Sequence, residues 1–226
     1  MPDPMLVASE ATKSYGDLVA LTPIDLTVER GELVALVGHN GSGKSTFLRL
    51  AAGALELSDG SIEIDGAPAG SSAARAATSF IPDDPVLYDD LSVREHLAYV
   101  AALHGVEASA SELDAVAERL GLLPRADDLP ARFSRGLRQK TSIALGIVRP
   151  LELLLVDEPF VGLDATGKIA LLELFDELHR DGRTIVVATH DVQFVERVTR
   201  CVALRDGEIV HDGVATPDDV LRLVGA

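Results

Sequence analysis

The sequence predicts an α/β protein: a mostly parallel core sheet with helices on its faces, an antiparallel β-subdomain beside it and a helical subdomain. Three observations predict this. Apolar runs at residues 33–37, 153–156 and 184–188 are short, β-rich and without clean alternation, as strands buried on both faces of a parallel sheet are. Each precedes helical periodicity, at residues 45–54, 167–179 and 191–199. Between about Ser92 and Arg149 the pattern is helical throughout, with Ser92 and Glu95 spaced as a capping box.

Taken in order, the first thirty residues alternate around turn residues, as does the stretch 60–66 with its Asp65-Gly66 step. Asp206-Gly207, between Arg205 and Glu208, is a strong hairpin signal, and this tail is expected to join the other two stretches in the antiparallel sheet. The expected organisation is one domain over 1–226, with a core and antiparallel β-subdomain from 1–90 and 150–226 and a helical subdomain over 91–149.

With 226 residues the chain can bury a substantial core without disulfides, and Cys201, the only cysteine, allows none within the chain. No apolar run reaches the roughly 18 residues of a membrane span. The N-terminus lacks the positive start and apolar stretch of a secretory signal, so a cytoplasmic location is expected. The formal charge of −16 repels phosphate backbones and anionic lipid alike. Nucleic acid is therefore not an expected partner.

The chemistry enters at Gly38-His39-Asn40-Gly41-Ser42-Gly43-Lys44-Ser45-Thr46, which fits G-x-x-x-x-G-K-[ST] between an expected buried strand and an expected helix. Glycines let backbone N–H groups converge on phosphates, and the helix N-terminus adds partial positive charge. Lys44 can reach the β- and γ-phosphates and the Ser45 hydroxyl can ligate Mg²⁺. ATP and Mg²⁺ are the implied ligands.

A second acidic site follows the run 153–156, where Asp157 and Glu158 stand at the C-terminal end of an expected strand, the edge at which open α/β sheets bind ligands. Adjacent strand side chains point apart, so Asp157 could hold Mg²⁺ while Glu158 polarises the attacking water. His190 ends the next apolar run at the same edge, within possible reach of the γ-phosphate.

These residues, in this order, resemble the nucleotide-binding subunit of an ABC transporter over essentially the whole chain, and so imply the ABC cassette of the P-loop NTPases, with a RecA-like core. The segment 133–140 resembles the family signature that opens a helix, 162–164 resembles the D-loop with Asp164, and Tyr15 occupies the place of the aromatic residue that stacks on adenine. The resemblance implies a head-to-tail dimer of cassettes in which Ser134 and Gly136 meet the γ-phosphate held by the other copy. It also implies ATP hydrolysis that powers a separate transmembrane permease from the inner face of the cell membrane.

Two segments depart from the family pattern. Arg135 and Leu137 stand where the signature has a glycine and a glutamine, and Asp83 stands at the Q-loop glutamine. A carboxylate at 83 can approach Mg²⁺ but cannot donate a hydrogen bond. Both departures resemble ATPase subunits of ABC-2-type exporters, which favours export over import. A different class, a soluble ABC-type ATPase acting on nucleic acid or ribosomes, is opposed by the charge and by the lack of room for a second cassette.

Overall fold

Ten strands and seven α-helices account for most of the chain in a computed structural model, which describes residues 3–224. The expectation of no secretory leader rests partly on Met1 and Pro2, which lie outside the described residues.

In chain order the elements are β1 (Leu6–Tyr15), β2 (Leu18–Val28), β3 (Leu33–Val37), α1 (Lys44–Ala51), β4 (Asp59–Ile64), β5 (Ala67–Pro68), α2 (Ser72–Ala77) and β6 (Thr78–Ile81). There follow α3 (Val93–Leu103), α4 (Ala110–Arg119), α5 (Arg135–Ile147), β7 (Leu153–Asp157), α6 (Ala165–Arg180), β8 (Thr184–Thr189), β9 (Arg200–Arg205), β10 (Glu208–Gly213) and α7 (Pro217–Val224).

The main sheet has the order β10-β9-β3-β8-β7-β6, parallel except for the β9–β10 hairpin at one edge. Every residue of β3, β7 and β8 is buried, which is why their sequences do not alternate. The two faces still separate cleanly. Leu33, Ala35, Val37, Leu154 and Val156 pack into one core with residues of α3, α5 and α6. Val34, Leu36, Leu153 and Leu155 pack into another with Phe47, Leu48 and Leu50 of α1. This second core is closed by the antiparallel sheet, of order β2-β1-β4-β5, through Leu6, Leu26 and Ile64.

Two local expectations are corrected, and one strand is unmarked in the sequence. Asp206 and Gly207, with φ of 52° and 83°, do make the tight hairpin turn, but the hairpin extends the main sheet because β9 pairs parallel with β3. Residues 192–197 form a 3₁₀ turn in place of the helix expected over 191–199. Asp191 caps it at Gln193 N, and Val198 is already extended towards β9. The strand β6 follows α2 without any intervening glycine or proline, so no punctuation marks it.

The helical stretch 92–149 contains α3, α4, α5 and two short 3₁₀ turns. Its first helix begins as the spacing requires: the Ser92 hydroxyl accepts from Glu95 N, and the Glu95 carboxylate accepts from Ser92 N. Ser109 and Glu112 repeat the arrangement at α4. Among the described residues no helix is long and apolar enough to cross a membrane.

Replacing Ser92 with Ala removes one half of the first box and is expected to cost about 1 kcal/mol. In a domain of this size that lowers the thermal midpoint by about 2–4 °C, which calorimetry would register.

Candidate active site

Parallel pairing brings three strand ends to one edge. Val37 is level with Thr189, and Asp157 with Ala188, so the loop after β3, Glu158 after β7 and His190 after β8 leave the sheet together. The 38–43 loop follows β3 immediately, with Gly41 and Gly43 at φ of 85° and 105°, a left-handed conformation that side chains resist. The following helix α1 therefore starts at Lys44 with its N-terminus turned to the loop's interior.

The cleft formed there has a volume of about 220 Å³ and is lined by Ala20, Asn40, Gly41, Gly43, Lys44, Ser45, Thr46, Asp83 and Glu158. Lys44 is buried, and its ammonium donates to the carbonyls of Gly38 (2.7 Å) and His39 (3.2 Å). Burial lowers its pKa, and the charges of Glu158 and Asp157 oppose that shift.

Glu158 adopts φ of 48°, unusual for a residue with a side chain, and its N–H donates to Ala188 O at 2.8 Å. The turn directs its carboxylate sideways along the strand ends, where Oε1 lies 3.7 Å from Lys44 Nζ and Oε2 lies 2.8 Å from His190 Nδ1. Lys44, Glu158 and His190 thus form one chain of contacts across the mouth of the cleft.

Asp157 is 1% exposed, and neither carboxylate oxygen has a hydrogen-bond partner in the protein. Burial raises its pKa, the nearby Ser45 hydroxyl opposes that, and the charges of Glu158 and Asp83 raise it further. Among the described residues no group of three or more His, Cys, Asp or Glu is placed to hold a metal by itself. An orphaned buried carboxylate beside the Ser45 hydroxyl is nevertheless a donor set that fits a hard divalent cation completed by phosphate oxygens.

The remaining candidates lie elsewhere. Ser134 caps α5 by accepting from Leu137 N, and Asp164 caps α6 by accepting from Gly167 N. With Gly136, Leu137, Lys140, Gly162 and Leu163 they line a second hollow of about 240 Å³ that shares no lining residue with the first. A Cβ on Gly136 would stand 2.3 Å from Gly162 O, so only glycine lets α5 approach that loop. Tyr15 does not line the phosphate cleft; its ring is half exposed beside the Lys13 ammonium, 5.1 Å from the ring centroid. His39 bonds its own loop through Asn40 O, and the Ser42 side chain is buried beneath it.

Two residues of the site escape sequence reasoning. Ala20 of β2 lines the cleft with no chemical signature of its own. Arg135, marked in the sequence only as a departure from the signature, forms an ion pair with Asp83 at 2.7 Å that no local pattern announces.

A glycine loop between a buried strand and a helix, with an acidic strand end opposite, defines a P-loop nucleotide-binding protein. Comparison with known proteins carries this further: a family model described as ABC transporter matches residues 21–161. A macrolide export ATP-binding/permease protein from Aeromonas hydrophila is 35% identical over 94% of this chain, which spans only 35% of that protein's length. The ABC-type transporter ATP-binding protein EcsA of Bacillus subtilis is 32% identical over 91% of this chain and 85% of its own. A solved ATP-binding subunit of an ABC transporter superimposes with a TM-score of 0.85 at 33% identity, covering 98% of this chain and 95% of its own. The chain belongs to the ABC transporter family and is one of its ATP-binding, ATP-hydrolysing cassettes.

The raised pKa of Asp157 has a measurable consequence. With the folded-state value above the unfolded one, the ionised carboxylate destabilises the fold at higher pH, and the penalty is relieved as pH falls through the folded value. Asp157→Asn is expected to raise the thermal midpoint of the nucleotide-free protein at pH 7–8 by about 2–4 °C, roughly 1 kcal/mol. Scanning calorimetry over that pH range checks it.

Proposed function

We propose that this chain is the ATPase subunit that energises transport, export in direction, through a separate membrane permease, and that it works as a head-to-tail dimer with a second copy of itself. The observation that carries the reading is Glu158, a carboxylate turned out of a parallel strand, bonded to His190 and poised 3.7 Å from Lys44 at the phosphate cleft.

Glu158 is the general base, positioned to polarise the attacking water. His190 orients that carboxylate and contacts the γ-phosphate. Lys44 exchanges the Gly38 and His39 carbonyls for the β- and γ-phosphates, a gain for an ammonium otherwise bonded to neutral acceptors. The loop 38–46 holds the phosphates by its backbone and Tyr15 stacks on adenine. Ser45, Asp157 and Asp83 are the residues that would hold Mg²⁺, which when bound neutralises charge developing on the phosphates.

Ser134, Gly136 and Asp164 line a hollow apart from their own chain's cleft, and this supports an active site completed by a second copy. The permease would meet the junction of the core with residues 91–149, taken as a helical subdomain, where a groove of about 260 Å³ is lined by Phe80, Pro82 and Val86 on one side and Val100, His104 and Leu145 on the other. Beside it Tyr88 is half exposed, fixed by its N–H to Nε2 of the buried His96. In this reading the protein works at the inner face of the cell membrane. The relative named for macrolide export supports the outward direction.

Replacing Glu158 with Gln is expected to leave ATP binding intact, let a dimer accumulate and slow hydrolysis at least about tenfold. Turnover at the wild-type rate would overturn the assigned base. Wild-type activity per molecule should also fall on dilution as dimers dissociate. A flat profile down to concentrations at which sedimentation finds only monomer would overturn the shared site.

A further inference from the structure

Two of the three positions at which this chain departs from its family's pattern, Asp83 and Arg135, meet each other in space. Asp83, where the family has a glutamine, lies just beyond β6 and lines the phosphate cleft with Lys44, Ser45 and Glu158. Arg135, where the signature has a glycine, is the first residue of α5, adjacent to Ser134 in the second hollow. Arg135 Nη2 donates to Asp83 Oδ1 at 2.7 Å. Neither an amide nor a glycine could form this ion pair.

Helix stability does not account for Arg135. The first turn of α5 contains no acidic residue, and a cation there is opposed by the partial positive charge of the helix N-terminus. The pair is also half exposed, so it contributes little to overall stability. What it does is join the cleft to the signature helix through a single charge-assisted bond.

We propose that Asp83 and Arg135 are a positioning pair that reports occupancy of the phosphate cleft to the N-terminal turn of α5 within one chain. Phosphate oxygens entering the cleft repel the Asp83 carboxylate and a divalent cation draws it inward, and both loosen its bond to Arg135. The released first turn of α5 then presents Ser134 and Arg135 to the nucleotide of the second copy. That last step rests on the dimer reading; the response within one chain does not.

Hydrogen exchange at the Leu137 and Arg138 amides tests it, with Mg·ADP as probe and protein dilute enough to be monomeric. In the wild type Mg·ADP is expected to raise exchange at this turn severalfold while protecting the phosphate loop. In Asp83→Asn and Arg135→Gln the loop should still be protected, which shows that the variant is folded and binds, but α5 should no longer respond. Asp83→Glu should restore the response. At saturating ATP each single loss is expected to lower kcat about five- to tenfold, and the double variant should be no slower than the slower single variant. A response of α5 that persists in the variants, or losses that multiply in the double variant, would overturn the proposal. Activity that stays flat on dilution, with the Mg·ADP response intact, would instead remove the dimer and leave the pair standing.

Discussion

The parallel register of β3, β8 and β7 is the constraint on which the site depends. Because Val37 pairs with Thr189 and Asp157 with Ala188, three sequence-distant segments end at the same height. The phosphate loop, the two carboxylates and His190 come from positions 38, 157 and 190, yet no local interaction could assemble them. A slip of one residue in any of these strands would turn its buried set to the other face and move its terminal residue away from the cleft.

That edge concentrates charge where water is largely excluded. Lys44 and Asp157 are both buried, and burial opposes the ionised form of each. Lys44 offsets the penalty by contacts with carbonyls and with Glu158, whereas the oxygens of Asp157 find no partner in the protein. An uncompensated buried carboxylate costs stability, and a bound cation would supply the electrostatic partner it lacks.

The two hollows are kept apart by the same architecture that orders each. α5 can lie against the 162–164 loop only because Gly136 lacks a side chain, so Ser134 and Asp164, each capping a helix, line one surface. The phosphate cleft lies on the other side of the Asp83–Arg135 ion pair. That salt bridge links an edge built by the sheet to a helix inserted beside it.

The sequence by itself determined the core strands, the phosphate loop and the capping box, because each depends on neighbours a few residues away: continuous burial, glycine backbone freedom and i to i+3 hydrogen bonds. It also marked the Asp206-Gly207 turn. It could not say that this hairpin joins the main sheet, since pairing of β9 with β3 is a choice between distant partners. The 3₁₀ turn at 192–197 was hidden because connection to β9 overrode helical periodicity. Tertiary structure alone decided that Ala20 lines the cleft, that Tyr15 does not, and that Asp83 and Arg135 meet across 52 residues. Those contacts follow from how separate elements pack, and nothing in the local order of residues encodes the distance between them.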